Sequence, residues 1–353
     1  MKLFRNEDCA LRNGPSAIFI VALALCFLAV PLPSDGQSPA KVHRIGWLAG
    51  GLGPKDATPQ NCPRKGGPFW QAWVEGLRER GYTPGQNLII ECRYTEGRDE
   101  RAPALAAELV NLKVDLIVAS NTNQVRAAKN ATSVLPIVMY GVIDPVRRGL
   151  VGSLARPGGN VTGLADDAGM EILGKYLQLL TQAVPKASRV AALRSPGALG
   201  DPSMVWGSLL EAEARALGVT LQSYHVRGPE DLEGAFAAMT KARAEALLVV
   251  PAPFFGLHRH RIAALNAQHR LPAMYPDRAD VEAGGLMAYA VDELETGRRV
   301  AAYVDRILKG ARPGDLPVEQ PTKFMLILNL KTAKALGLTI PSELLIQAED
   351  VIR

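Results

Sequence analysis

The chain has 353 residues, of which 48% are hydrophobic, 21% charged and 6% aromatic, and its formal net charge is +5. At about 100–200 residues per domain, this length predicts two domains with a sizeable core, which excludes a disordered or fibrous chain. No run of five like charges occurs, so the small positive excess does not indicate nucleic-acid binding.

The first 40 residues predict an export signal rather than a part of the fold. An unbroken apolar run, 17–30, follows three basic residues and precedes a stretch rich in small and turn-forming residues. This arrangement is typical of a cleaved signal peptide, because a membrane-spanning helix needs about 20 apolar residues. We therefore expect a periplasmic protein. A lipoprotein acylated at Cys26 is the disfavoured alternative, because the preceding Leu25 is not small.

Cleavage of this signal leaves two cysteines, Cys62 and Cys92, in an oxidising compartment. They can form a single disulfide, which would close a loop of about thirty residues and stabilise the fold by roughly 3–4 kcal/mol. Two free thiols are the alternative, and the sequence leaves both open. No spacing of Cys and His residues is typical of a metal site.

From residue 42 onward, short runs rich in β-branched residues alternate with helical patterns, as expected of a parallel α/β sheet. The order and spacing of the elements repeat between the two halves of the chain. The predicted strands are 42–49, 88–94, 114–119, 137–140 and 161–164, then 189–193, 220–225, 246–250, 272–274 and 286–289. The sequence therefore predicts an α/β fold of two similar, doubly wound parallel-sheet lobes.

Local signals agree with these elements. Gly81 and Gly218 follow helical patterns at positions that favour a left-handed residue, and the pair 201–202, Asp-Pro, is typical of a helix start. In the first predicted helix, Phe69, Trp73 and Leu77 recur every four residues, which predicts a buried stripe facing the sheet.

Enzyme motifs are missing from the sequence. There is no G-x-S-x-G nucleophile elbow, no G-x-G-x-x-G turn after the first strand and no HExxH metal-binding helix. We therefore predict a protein with no catalytic residues, no cofactor and no metal.

In open α/β sheets, ligands bind beyond the carboxyl ends of the strands. Helix N-termini there can hold a ligand carboxylate, and Asp277 and Arg194 could pair with a ligand ammonium and carboxylate. Helix capping is the alternative role for 120–122 and for Asp144, and a core position is the alternative for the tyrosines. The predicted ligand-binding residues are Ala49, Gly50, Ser120, Asn121, Thr122, Tyr140, Asp144, Arg194, Ser195, Pro251, Tyr275, Asp277 and Tyr289.

Long segments carry a resemblance to a known family. They are GLRERGYTPGQNLIIECRY, ALAAELVNLKVDLIVAS, DPVRRGLVGSLARPGGNVTGL, RLPAMYPDRADVEAGGLMAYA and YVDRILKGARPGDLPVEQPTKFMLILNLKTAKALGLTIP. From about residue 43 onward, the chain resembles ABC transporter substrate-binding proteins of the type I periplasmic binding fold, in the group that includes tryptophan and tyrosine binders. Arg194 stands where this group more often has asparagine.

The resemblance implies two lobes joined by a hinge, with a ligand held between them and a membrane permease that recognises the closed form. It implies a first lobe of residues 41–162 with 290–312, and a second of 163–289 with 313–353. We expect a monomeric, exported solute-binding subunit of an ABC importer for a small amino-acid-like or carboxylated ligand. A periplasmic sensor for a membrane receptor or kinase is the alternative, and neighbouring genes would discriminate the two. An enzyme on the same scaffold and a DNA-binding repressor are disfavoured.

Overall fold

Two β-sheets organise the residues that the computed structural model describes, which are 41–50, 62, 66–166, 171–195 and 206–353. The first sheet has five parallel strands in the order β2-β1-β3-β4-β5. Its strands are β1 (His43–Ala49), β2 (Leu88–Tyr94), β3 (Leu116–Ser120), β4 (Ile137–Val142) and β5 (Val161–Ala165).

The second sheet has seven strands in the order β12-β11-β10-β9-β8-β6-β7. All pairs are parallel except β10 with β11, which is antiparallel. The strands are β6 (Arg189–Arg194), β7 (Thr220–His225), β8 (Ala246–Val249), β9 (Ala273–Tyr275), β10 (Met287–Val291), β11 (Phe324–Asn329) and β12 (Asp350–Ile352).

The helices cover both faces of each sheet. Those of the first half are α1 (Pro68–Arg78), α2 (Ala102–Asn111) and α3 (Asn121–Ala131). Those of the second half are α4 (Glu171–Ala183), α5 (Trp206–Ala216), α6 (Asp231–Lys241), α7 (Pro253–Leu257), α8 (Arg259–Gln268), α9 (Arg278–Glu282), α10 (Glu293–Leu308), α11 (Leu330–Leu336) and α12 (Ser342–Gln347). None of the helices in the described ranges is both long and apolar enough to span a membrane.

The predicted fold class is confirmed. The order β7-β6-β8-β9-β10 in the second sheet repeats the order β2-β1-β3-β4-β5 in the first, so the duplication seen in the sequence is also present in the topology. The second sheet differs by the added strands β11 and β12. The left-handed glycines Gly81 (φ 89°) and Gly218 (φ 71°) lie where predicted, whereas the predicted helix start at 201–202 lies outside the described residues.

The chain returns to the first lobe after β10. Helix α10 packs closely on α1. If Gly297 carried a Cβ atom, that atom would lie only 2.5 Å from the carbonyl oxygen of Phe69. Glycine at this position lets the two helices approach closely.

The exchange between lobes differs from our prediction in two places. The first sheet continues to Ala165, beyond the predicted boundary at 162. The segment 313–319, predicted in the second lobe, lies against β5: the Glu319 N–H donates to the Gly163 carbonyl oxygen over 3.1 Å. Leu316 and Val318 are buried in the core of the first lobe, which explains why the chain enters the second sheet only at β11.

The two faces of β1 show how the sequence builds the core of the first lobe. Ile45 and Trp47 point to the face covered by α1 and α10, whereas Leu48 points to the face covered by α2 and α3. Both faces are buried, as in sheets built from βαβ units. Trp73 and Leu77 are fully buried on the α1 face, in agreement with the predicted stripe.

A disulfide fastens the segment before α1 to the first sheet. Cys62 and Cys92 are bonded, with their Cα atoms 5.4 Å apart. Cys92 is a buried residue of β2, and Cys62 lies between β1 and α1. Both cysteines therefore belong to the first lobe.

Candidate functional site

Three strand-end loops of the first lobe meet at Asn121. This residue begins α3 with a left-handed backbone (φ 59°), which asparagine tolerates better than most residues. The Asn121 amide lies close to two glycines. A Cβ added at Gly50 would lie 3.3 Å from Asn121 Nδ2, and a Cβ added at Gly141 would lie 3.2 Å from Asn121 Oδ1. The Asn121 amide thus fills the space between the ends of β1 and β4.

Ser120 and Thr122 flank this asparagine. The buried Ser120 hydroxyl accepts a hydrogen bond from the Gly50 N–H over 3.3 Å and does not cap α3. No hydrogen bond within the described residues involves the Thr122 hydroxyl, and Thr122 is half-buried. The start of α3 therefore presents free backbone N–H groups and a free hydroxyl beside the loops after β1 and β4.

An aromatic wall lies next to this loop cluster. We use this name for Trp47, Phe69 and Tyr140, which come from β1, α1 and β4. The Phe69 and Tyr140 rings are stacked, with centroids 4.3 Å apart, and the Trp47 and Tyr140 centroids are 5.4 Å apart. Burial strongly raises the pKa of Tyr140, so its phenol stays protonated. The half-buried Tyr140 forms the edge of the wall that solvent reaches.

The second lobe contributes a pair of carboxyl groups, Asp277 and Asp280, at the start of α9. Burial raises the pKa of Asp280 from 3.8 to about 7, and the Asp277 charge adds to this effect while Arg259 opposes it. Arg259 Nε lies 3.6 Å from an Asp280 carboxylate oxygen. The surrounding protein also raises the pKa of Asp277, whose side chain is exposed to solvent, and the Arg259 charge opposes this rise.

The Asp277 carboxylate has no hydrogen-bonded or ion-paired partner within the described part of the chain, although it occupies the N-cap position of α9. The charge nearby that stabilises its ionised form is that of Arg259. The Asp277 charge acts on groups of both lobes, because it raises the pKa of Tyr176 in α4 and of Glu293 in α10, where burial is the larger cause. Asp277 is therefore close to groups of both lobes.

Tyr176 and Tyr289 pack on each other in the second lobe, where Tyr176 is only 4% exposed and Tyr289 is half-buried. Their ring centroids are 6.4 Å apart with nearly perpendicular planes, and Tyr289 also stacks on Phe324 at 5.3 Å. Burial raises the pKa of Tyr176 well above its ordinary value, with added contributions from Asp277 and Asp166. The second lobe thus holds the Asp277 carboxylate close to a pair of tyrosines.

The lobes touch beside the cleft. Ile143, which follows β4, packs on the fully buried Ala192 and Val250 of the second lobe. A Cβ added at Gly97 would lie 2.6 Å from Leu257 Cδ1 in α7. Since Ile143 and Gly97 belong to loops of the first lobe, the structure has its lobes in contact.

Residues 70–352 match the family described as ABC transporter substrate binding protein. The chain belongs to this family. The tyrosine-binding protein of Clostridioides difficile (strain R20291) is 26% identical over 273 residues, which cover 76% of each protein. Substrate-binding proteins of this kind work outside the cytoplasm.

Two solved structures resemble this substrate-binding protein over nearly its whole described length. One is an ABC domain in complex with L-Trp from Streptococcus pneumonia, with a TM-score of 0.77, 27% identity and coverage of 88% of this chain and 100% of that one. The other is a conserved domain protein from Vibrio cholerae, with a TM-score of 0.77, 25% identity and the same coverage of 88% and 100%. The recognised family and its type I periplasmic binding fold are therefore confirmed.

Tyr275 of this substrate-binding protein does not face the cleft. Only 1% of its surface is exposed, and its hydroxyl accepts a hydrogen bond from the Asn266 side chain of α8. Its neighbour Met274 packs in the core on the other face of β9. Our prediction for Tyr275 is wrong because the pleat of β9 turns this ring toward α8, where it is a core residue.

Asp144 uses its carboxylate within its own turn. One oxygen accepts the Arg147 N–H over 3.1 Å, and the other lies 3.3 Å from Arg147 Nε. The segment after it forms turns rather than the predicted helix. The alternative role of a cap therefore accounts for Asp144 without a ligand.

The other predicted residues lie at the expected strand ends. Ala49 ends β1, and Arg194 and Ser195 are buried at the end of β6. The half-buried Pro251 follows β8. Burial lowers the pKa of Arg194, and Glu211 of α5 opposes this effect. For these residues ligand contact stays a prediction.

Sequence reasoning did not select four residues that the structure places near the candidate site residues. Tyr176 and Glu293 come from helices, and Trp47 and Phe69 form the wall although Phe69 was predicted as core alone. The Phe69 N–H donates to the Glu293 carboxylate, and this bond partly offsets the rise in pKa that burial causes. A sequence signal existed only for Phe69, which lies at the start of its helix and hence near a loop.

Asp280 makes the stability of the ligand-free protein depend on pH. The pKa of Asp280 is about 7 in the folded chain and 3.8 for an ordinary aspartate, so unfolding at any pH between these two values releases a proton. The free energy of unfolding is therefore expected to fall as pH rises from 4 to 7. Asp280→Asn, which resembles the protonated acid, should flatten this slope in urea denaturation at pH 5, 6, 7 and 8.

The exposed Glu343 of α12 provides the control, and Glu343→Gln should keep the wild-type slope. Equal slopes for the wild type and Asp280→Asn would contradict the assignment.

Proposed function

We propose that this chain is the exported solute-binding subunit of an ABC importer and that it binds an L-aromatic amino acid between its lobes. The observation that carries this proposal is the Asp277 carboxylate, which forms no hydrogen bond or ion pair within the described residues and whose charge acts on groups of both lobes. A carboxylate in such surroundings is stabilised by an ammonium group, because charge-assisted bonds strengthen where protein replaces water.

Each part of an amino acid has a counterpart in the cleft. The ammonium group would meet Asp277, and the aromatic ring would lie between Tyr140 and Tyr289, since offset and edge-on ring contacts are favourable. The carboxylate would accept hydrogen bonds from the N–H groups at the start of α3 and from the Thr122 hydroxyl. The likeness to a tyrosine-binding protein and to a complex with L-Trp supports the same ligand class.

Binding would shift the lobes toward contact. A ligand that contacts α3 of the first lobe and Asp277 of the second lobe can make all of its contacts only when the lobes close. It therefore binds the closed form more tightly than the open form, and this difference shifts the equilibrium toward the closed form. A membrane permease that recognises the closed form would then receive the amino acid. We also propose that the protein is exported by a cleaved signal and that it meets the permease as a monomer. Transport of the ligand in this way requires no covalent step.

The test is a binding experiment with matched ligands. We expect L-Trp, L-Tyr or L-Phe to raise the unfolding midpoint of the purified protein, since a ligand at 100 times its dissociation constant stabilises by about 2.7 kcal/mol. Tryptamine lacks the carboxylate and 3-indolepropionate lacks the ammonium group, so both should bind at least tenfold more weakly than L-Trp. Binding of none of the three amino acids would contradict the proposal.

A second measurement addresses the importer role. The genes next to this one should encode a permease and an ATPase, and the reconstituted transporter should take up the amino acid only when this protein is added. Binding without any dependence of uptake on the protein would favour the alternative of a sensor.

A further inference from the structure

The first turn of α1 carries one ring of the aromatic wall and lacks the usual supports of a helix start. Phe69, the second residue of α1, stacks on Tyr140. The N-cap residue is Gly67, which provides no side-chain cap, and the first turn contains no acidic residue. Caps and acidic residues commonly stabilise the free N–H groups of a helix start. The position of Phe69 therefore depends on contacts outside its own helix.

The segment just before α1 packs tightly on this first turn. A Cβ added at Gly66 would lie 2.5 Å from Trp70 Cβ, so the chain at Gly66 lies directly on that side chain. The Gln71 side chain donates a hydrogen bond to the Gly66 carbonyl oxygen over 2.8 Å. The Gln71 N–H donates to the Gly67 carbonyl oxygen over 3.1 Å. A shift of the chain at Gly66 would therefore move the first turn of α1 with it.

The disulfide connects this segment to the strand beside Trp47. Cys62 precedes Gly66 by four residues, and its partner Cys92 lies in β2 with only 1% of its surface exposed. In the pairing of β1 with β2, Cys92 is the residue opposite Trp47. Cys62 packs against the same hydrophobic core as Phe69. The bond thus joins the chain that leads into α1 to a strand position next to the aromatic wall.

The position of Phe69 matters for binding because its ring supports that of Tyr140. The ring of the amino acid is proposed to lie against Tyr140, which Phe69 holds by stacking at 4.3 Å. Helix ends open locally more readily than the core of a domain does. If the first turn of α1 opens, the ligand has to order it again, and this ordering lowers the affinity. A covalent bond that keeps the turn in place removes that cost.

We propose that the disulfide between Cys62 and Cys92 positions Phe69 in the aromatic wall and thereby increases the affinity for the ring of the amino acid. This inference rests on the proposed function. The two cysteines are positioning residues, because they act through the first turn of α1 and not by contact with the ligand. The bond therefore serves binding as well as the stability of the first lobe.

The test compares the wild type with the double variant Cys62→Ala, Cys92→Ala by isothermal titration with L-Trp, under conditions in which circular dichroism shows both to be folded. We expect the double variant to bind at least fivefold more weakly. In the Phe69→Ala background, the same removal should change the affinity less than twofold, because the bond then has no ring to position. In the Thr122→Ala background, which changes a proposed partner of the ligand carboxylate, the fivefold effect should remain.

A second measurement needs no ligand. In protein labelled only at Phe and Tyr, the NOE between the Phe69 and Tyr140 rings should fall at least twofold in the double cysteine variant. The stacked pair of Tyr289 and Phe324 in the second lobe is the internal control, and its NOE should not change. If the wild type binds no aromatic amino acid, the proposed function fails. If the NOE between Phe69 and Tyr140 is unchanged, the positioning role fails.

A further variant loosens the same segment and leaves the disulfide intact. Gln71→Ala removes the exposed side chain that donates to Gly66 and should weaken L-Trp binding at least twofold. The matched control is Glu75→Ala, an exposed residue one turn further along α1 that pairs with Arg78, and it should leave the affinity unchanged.

Two results of the titrations would overturn the proposal. One is an unchanged affinity in the folded double cysteine variant, and the other is an equal loss of affinity with and without Phe69. If the double cysteine variant does not fold, Gln71→Ala decides, and an unchanged affinity in that variant would overturn the proposal.

Discussion

Replacing Asp277 with asparagine is expected to weaken the binding of an L-aromatic amino acid by about 100-fold. Losing one partner of a desolvated, hydrogen-bonded charge pair costs roughly 2–5 kcal/mol, and each 1.4 kcal/mol is a factor of ten. The Asp277 side chain forms no hydrogen bond or ion pair within the described residues, so this substitution breaks none, and it removes only the attraction to the Arg259 charge. Isothermal titration with L-Trp and L-Tyr measures the effect.

Two further variants make this prediction specific. The control is Asp315→Asn, which changes an exposed acid in the turn Pro313–Asp315. This turn lies beside Gly158, which precedes β5, so it is at the amino end of that strand and the substitution should leave the affinity unchanged. Glu293→Gln tests the other acid near the aromatic wall, whose carboxylate already accepts the Phe69 N–H. If Glu293→Gln weakens binding and Asp277→Asn does not, the ammonium site is at α10 and our assignment is wrong.

Removal of the disulfide should have the largest effect on stability. The bond between Cys62 and Cys92 spans a sequence separation of 30 residues. Chain entropy for a loop of this length predicts a loss of about 3–4 kcal/mol in the free energy of unfolding when both cysteines become alanine. Urea denaturation monitored by tryptophan fluorescence is a suitable measurement, because Trp47, Trp70 and Trp73 are buried near this bond.

Reduction provides the control for this prediction. Dithiothreitol should lower the stability of the wild type by a similar amount and should not change that of the double variant. A double variant within about 0.5 kcal/mol of the wild type would show that the bond adds nothing to this lobe.

Periodicity was enough to predict the sheets. The strands β2 and β7 have the predicted bounds, and the remaining eight predicted strands lie within a few residues of theirs, because β-branched runs between helical patterns carry a strong local signal. The apolar pattern of the last part of the chain does not delimit the two strands β11 and β12. The segment 313–319 was placed in the wrong lobe, because its few buried residues are held by tertiary packing against β5 rather than by a pattern of their own.

The candidate site was predictable only in part. The strand-end rule selected Asn121, Thr122 and Asp277, which do follow the ends of β3 and β9, and their contact with a ligand stays a prediction. The same rule could not select Tyr176 or Glu293, since no rule on strand ends applies to residues of helices. The error at Tyr275 has a different cause: a three-residue strand is too short for its alternation to show which face a side chain takes.

The contact of Ile143 with Ala192 and Val250 affects the balance between the open and closed forms of the protein. These side chains bury apolar surface against each other whenever the lobes meet, and no ligand atom takes part. The contact therefore raises the resting population of the closed form, which increases the apparent affinity because less of the binding energy is needed for closure. In the importer that we propose, the same bias would let an empty protein present a closed surface to the permease, so the size of this apolar contact would set the balance between sensitive capture and unproductive docking.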